Sequence, residues 1–211
     1  MTNIFKNDKG IALVTSLMLT LIIMTVIMAT FYLITAGTIQ TGASKRYKTA
    51  LDASYGGGQM VVKDLIPQLL QNFTAPNMIS LVTNNFASAI GLQIQTSSLA
   101  CLQAKLTQNT SKWQAASCSS SSSSLNPTQM PDFQFSLQSN GQNPYTVYSK
   151  IVDTVQGNTD MSGLQLLGGG VAEAQTSVTA QHFPYIYRVE VQAERSTNAT
   201  EQANLSVVYA Y

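Results

Sequence analysis

Apolar side chains run almost without a break from Ile11 to Ala36, and polar ones dominate much of the remaining chain. About 20 apolar residues carry a helix across a bilayer, so this stretch is long enough to span one. It is too long for the apolar part of a cleaved secretory signal, about 7–15 residues, though a plain signal anchor has the same look. Thr15, Thr20, Thr25, Thr30 and Thr35 recur every five positions within it. Five-residue spacing spirals around a helix and makes no single polar stripe. Each hydroxyl can bond back to a carbonyl one turn earlier, so the threonines read as tolerated in lipid and not as a site. Tyr47, Leu51 and Tyr55 come next at four-residue spacing, and Val61, Val62, Leu65, Ile66 and Leu69 continue an apolar face. This pattern predicts that the helix runs on past the membrane. Gly56-Gly57-Gly58 weakens its middle by about 1 kcal/mol per Gly relative to Ala, which marks either a flexible or a closely packed point. Pro67 should kink or restart the helix. From Ile11 to Ile66 a continuous helix would be about 84 Å long, so its second half must project and pack on something.

The region from Asn72 to Asn126 is rich in Ser, Thr, Asn and Gln, with weak helical patterns at Met78–Ala89 and Leu99–Thr107. Ser119 to Ser124 is an unbroken serine run, read as a flexible exposed loop. Period-two alternation then takes over. Phe133, Phe135 and Leu137 alternate with Gln134, Ser136 and Gln138. The series Phe183, Tyr185, Tyr187, Val189, Val191, Ala193 alternates with Arg188, Glu190, Gln192 and Glu194, and Leu205, Val207, Tyr209, Tyr211 closes the chain. Such runs predict half-buried strands of an antiparallel sheet. Pro144–Asp153 is a further strand, and Ser196–Asn204 reads as the connection between the last two. Helix first and strands last predicts an α+β fold, a long N-terminal transmembrane and stalk helix packed on one face of a C-terminal antiparallel sheet.

Composition narrows the function. Only 10% of the 211 residues are charged, against about 25% in an ordinary globular chain. From Gly10 to Ser44, 35 residues, there is no Asp, Glu, Lys, Arg or His. The formal charge of +1 gives no drive toward nucleic acid. Basic residues flank the apolar run on both sides, Lys6 and Lys9 before it and Lys45, Arg46 and Lys48 after it, so charge alone does not orient it. The short N-terminus is taken as cytoplasmic and the remainder as extracytoplasmic. An even count of two cysteines outside the cytoplasm points to a Cys101–Cys118 disulfide, with two free buried thiols as the alternative.

The first residues carry a resemblance. A short basic leader leads into K-G-I-A-L-V-T and the apolar helix, and then into IQTGASKRYKTALDASYGGGQMVV from Ile39 to Val62. This resembles the PilX-type minor pilins of type IV pili over about the first 62 residues, and Y-R-V-E-V with the closing L-S-V-V-Y-A-Y fits the type. Where the family shows an A-A-E-A-like patch, this chain has Ser54-Tyr55-Gly56-Gly57-Gly58. The resemblance implies a leader over residues 1–10, cut by prepilin peptidase between Gly10 and Ile11. It implies a transmembrane helix over 11–36, a projecting amphipathic helix over 37–72 and an extracytoplasmic head over 73–211. Removing the leader takes away two basic residues and one acidic residue and leaves 9 of each. Major pilins have a Glu at the fifth mature position, which neutralises a neighbour's N-terminal amine; here that position is Thr15. A buried, unpaired ammonium is costly, so the resemblance implies a subunit at the filament tip, while Thr15 as one more tolerated threonine is the plain alternative. The implied partners are the major pilin and other minor pilins through the N-terminal helix, a tip adhesin, prepilin peptidase and the inner-membrane assembly platform.

Little in the chain points to chemistry. No nucleophile elbow, P-loop or zinc spacing occurs, and no cofactor is expected. His182 precedes a strand and reads as structural. Glu190 and Glu194 lie about 13 Å apart along one strand face, beyond the usual spacing of glycosidase carboxylates, and read as a solvated polar face. Asp153, Asn158 and Asp160 read as loop residues with a spacing that matches no standard calcium loop. Gly168-Gly169-Gly170 reads as a turn. The expectation is an assembly protein and not an enzyme. The alternatives are a membrane-anchored periplasmic binding domain that never enters a filament, and a type II secretion K-type pseudopilin.

Overall fold

The computed structural model describes residues 8–138, 144–158 and 183–211. It divides into two compact units, one ending at Arg46 and the other running from Tyr47 to Tyr211. Helix α1 (Asp8–Met60) is continuous. A π-helical turn, Val61–Leu65, comes next, then α2 (Ile66–Gln71) with Pro67 in its first turn. The π turn answers the proline. Pro67 has no N–H to give and its ring crowds the carbonyl four residues back, so the ladder shifts: Ile66 N–H bonds the Val61 carbonyl five residues earlier.

In the second unit, α3 (Met78–Ile90), β1 (Gln93–Ile94) and α4 (Leu99–Thr107) lead to four strands. These are β2 (Phe133–Leu137), β3 (Tyr145–Asn158), β4 (Phe183–Arg195) and β5 (Asn198–Ala210). The sheet is antiparallel throughout, in the order β1-β2-β3-β4-β5. The end of α1, α2, α3 and α4 cover one face, so the chain is α+β with its long helix on an antiparallel sheet, as the sequence led us to expect. The core holds Val61, Leu65, Ile66 and Leu69 from the helical run, and Phe133, Phe135, Val147, Ile151, Tyr187, Val189 and Val191 from the strands.

The face that α1 turns to the sheet is not the expected aromatic one. Tyr47 and Tyr55 are exposed, at 56% and 54%, while Ala50, Ser54, Gly57 and Gly58 are buried. Small residues win that face because they let two backbones approach. A Cβ on Gly57 would stand 2.7 Å from Val147 Cγ1, whereas one on Gly58 would meet Leu205 and Val207 at an ordinary 3.5 Å. Of the two readings of the glycine triplet, close packing is the one realised. Ser54 completes the joint: its Oγ accepts the Ala193 N–H of β4 at 3.2 Å and donates to the Ala203 carbonyl of β5 at 2.8 Å.

Three further expectations are corrected. The connection read over Ser196–Asn204 is shorter, because β5 begins at Asn198 and pairs with Arg195; the partner strand recruits a polar segment whose own sequence looks like a turn. The strand read over Pro144–Asp153 is present as β3 but runs on to Asn158, so Asp153 and Asn158 lie in a strand and not in a loop, and Asp153 accepts a hydrogen bond from the Thr110 hydroxyl. The serine run is not a loose loop, since Ser120–Ser123 forms a 3-10 turn with Ser122 buried. His182, Asp160 and Gly168–Gly170 lie outside the described residues.

Candidate functional site

The feature with the clearest functional content is the first part of α1. A helix apolar all round is stable only where something apolar surrounds it. Between Ile11 and Ile39 the large apolar side chains are 48–73% exposed, and they point in every direction. This helix is long and apolar enough to be a candidate membrane anchor. Its threonines are satisfied locally. The hydroxyls of Thr20, Thr25 and Thr30 donate to the carbonyls of Leu17, Ile22 and Ile27 at 2.7–2.9 Å. Thr35 reaches Phe31 and Tyr32, and Thr41 reaches Gly37. The rod therefore presents almost no unmet polar group to lipid or to a neighbouring helix.

Gly10 and Ile11 are exposed helical residues, and nothing lies within 4 Å of a Cβ built on Gly10. Thr15 is one turn further on, its hydroxyl 3.1 Å from the Ile11 carbonyl and 3.0 Å from that of Ala12. Where a carboxylate would offer a charge to a neighbour, this side chain spends its one proton on its own helix.

Cys101, on α4, and Cys118 form a disulfide. Closing a loop of this size contributes about 3 kcal/mol in the chain-entropy account. Beside it lies a buried ionic cluster that sequence reasoning missed. Lys105 is on α4, Asp132 precedes β2 and Lys150 is on β3, and all three are 2% exposed or less. Lys105 Nζ lies 2.7 and 2.8 Å from the two carboxylate oxygens of Asp132 and 5.3 Å from the Trp113 ring centre. Asp132 also accepts the Ile151 N–H at 2.9 Å, where a bulge shifts the β3–β4 register. Lys150 Nζ donates to the carbonyls of Ser121 and Gln129, and Lys105 to that of Ser122. Burial pushes the Asp132 carboxyl up, against the pull of Lys105. Burial and then the Lys105 charge pull the Lys150 ammonium down. The only sequence sign was three charged residues in a chain with few of them, at separations that no local pattern connects.

The polar face of β4 is more enclosed than a solvated one. Glu190 and Gln192 are 9% and 7% exposed. Arg188 Nε and the Ser206 hydroxyl both donate to Glu190, and Gln192 donates to Gln202. Among the described residues, no three His, Cys, Asp or Glu side chains are placed to hold a metal ion. Comparison with protein-family models, with curated proteins and with solved structures found no match to this chain. The fold and the helix define a class: an α+β protein with a candidate membrane anchor near its N-terminus and a disulfide-bonded, sheet-containing second unit.

Proposed function

We propose that the chain is a minor pilin of a type IV pilus. It primes assembly at the inner membrane and sits at or near the filament tip, where it links other minor pilins to an adhesin. The observation that carries this reading is the charge-free rod that begins next to Gly10. Its 35 residues without a charged side chain would extend about 52 Å as helix. A bilayer is about 40–45 Å thick with its headgroups, so lipid alone does not call for so long a neutral stretch. Helices of sister subunits would accept it along its whole length. Leaving lipid for such a bundle exposes little apolar surface to water, and packing replaces lipid contacts. Thr15 supports a terminal place. With its hydroxyl turned back on Ile11 and Ala12, it brings no negative charge to a neighbour's terminal amine. In this reading the N-terminus is cytoplasmic before assembly, prepilin peptidase cuts after Gly10, and the chain works by binding and not by catalysis.

The test is mass spectrometry of sheared, purified pili. The expected result is this chain starting at an N-methylated Ile11, in far lower amount than the major subunit. A chain that keeps residues 1–10 in a peptidase-positive cell and stays in the inner membrane would make it a membrane-anchored binding domain. A cut chain found only in secretion pseudopili would make it a K-type pseudopilin.

A further inference from the structure

We infer that the Cys101–Cys118 disulfide is a redox latch on the serine turn, so that reducing it uncovers the buried amines of Lys105 and Lys150 while the sheet remains folded. The inference stands on the second unit alone and does not depend on the pilus reading.

The two cysteines bracket the buried amines. Cys101 is one helical turn before Lys105 on α4, and Cys118 directly precedes Ser119–Ser124. The turn's backbone forms part of the cradle for both ammonium groups. Ser121 O accepts from Lys150, Ser122 O accepts from Lys105, and the Gln129 carbonyl a few residues later accepts again from Lys150. Two ammonium groups face one carboxylate, Asp132, so these carbonyl dipoles carry the remaining compensation.

Apart from these bonds the turn is held against β3 by small side chains, the buried Ser122 and, just after it, the buried Pro127. Ser119 Oγ caps the Ser121 N–H, which is a bond within the turn itself. The large apolar side chains after it, Leu125 and Met130, are 59% and 41% exposed and do not anchor it in the core. The sheet, in contrast, is held by backbone pairing along β3, β4 and β5, which does not pass through the disulfide, although the two cysteines share the side-chain core with Val147, Val189 and Val191. Opening the S–S bond therefore removes the covalent cross-link beside a segment held otherwise by three lysine hydrogen bonds and two small buried side chains. The cradle leaves, water enters, and two charged amines are hydrated. In the forward direction two thiols give up two electrons and two protons to a thiol–disulfide oxidant. The bond closes and the turn is fastened over the lysines.

The experiment uses the full chain in detergent micelles. Brief acylation with an amine-reactive acetyl ester is read by peptide mass spectrometry, before and after dithiothreitol supplies the two electrons that open the bond. Amide hydrogen exchange is followed in parallel. Modification of Lys105 and Lys150 is expected to rise by more than about tenfold on reduction, well within what releasing a loop of this length provides. The exposed Lys63 and Lys112 serve as unchanged controls, and exchange protection of β3 and β4 persists. A Cys101→Ser/Cys118→Ser chain should match the reduced protein. Continued protection of both lysines after reduction would overturn the latch. Loss of sheet protection together with lysine exposure would overturn it too, because the disulfide would then staple the whole head.

Discussion

Gly57 packs directly on Val147 of the sheet: a Cβ at position 57 would lie 2.7 Å from Val147 Cγ1 and 3.5 Å from Phe135 Cζ. Gly58, the next residue, has its nearest neighbours at 3.5 Å or more. Adjacent glycines thus predict opposite outcomes. Gly57→Ala forces Val147, with its stiff branched side chain, to move and should lower stability by about 1–3 kcal/mol. Gly58→Ala fills ordinary contact distance and gains helix propensity, so it should raise stability by up to about 1 kcal/mol. Denaturant titration of the two variants side by side measures the difference, and equal effects would contradict the packing described.

Ser54 ties α1 to two strands with one hydroxyl. Ser54→Ala leaves the Ala193 N–H and the Ala203 carbonyl without this partner in a fully buried place. The expected loss is about 1–3 kcal/mol. Ser54→Cys keeps the size and only a weak donor, and should fall between Ala and the parent. Amide exchange at Ala193 should speed up in the Ala variant before exchange elsewhere on β4.

The Lys105–Asp132 pair is buried on both sides, at 1% and 3% side-chain exposure. Lys105→Ala leaves the carboxyl of Asp132 in the core beside Lys150 alone, and should cost about 3–5 kcal/mol, as breaking one side of a buried pair does. Replacing both, Lys105→Met with Asp132→Leu, removes the stranded charge and should recover part of that loss, although the Ile151 N–H then lacks its acceptor. Thermal unfolding of the single and double variants decides it.

Tyr187 gives the alkaline limb of stability a specific origin. Its hydroxyl donates to the Leu106 carbonyl at 2.6 Å inside the core. Burial, reinforced by Tyr185, Tyr211 and Tyr209, raises its pKa well above the ordinary value of 10.0. Below that value the phenol is neutral in both folded and unfolded chains, so stability does not depend on this group. Above it the unfolded chain loses the proton first, and stability falls as pH rises toward the folded pKa. Unfolding free energy measured upward from pH 9 should therefore decline above about pH 10. Tyr187→Phe should show a shallower decline from a lower starting value.

On the pilus reading, Thr15→Glu restores a carboxylate at the position where major pilins carry one. The variant should be incorporated along the shaft, and its copy number relative to the major subunit should rise in quantitative mass spectrometry of sheared pili. An unchanged ratio would mean that Thr15 does not set a terminal place.

Local pattern was enough to establish the long helix and the main strands. An uncharged apolar run can only be surrounded by lipid or other apolar surface, and the five-residue threonine spacing already excluded a polar stripe along the helix. Period-two alternation located β2, the core of β4 and the end of β5, and Leu99–Thr107 was legible as α4. Pro67 marked a break, because a missing N–H is a local fact.

Tertiary structure decided what touches what. Which face of α1 meets the sheet depends on how closely two backbones can approach, and this favoured Gly57 and Ser54 over the larger Tyr47 and Tyr55. Asn198–Asn204 is a strand because β4 supplies its hydrogen bonds, and the two-residue β1 exists only by pairing with β2. The serine run forms a turn whose carbonyls meet two lysines that are close to it only in the folded chain. Burial of Lys105, Asp132 and Lys150 is a long-range property: a charged residue's sequence neighbours do not reveal whether a partner from another element will be there to compensate it.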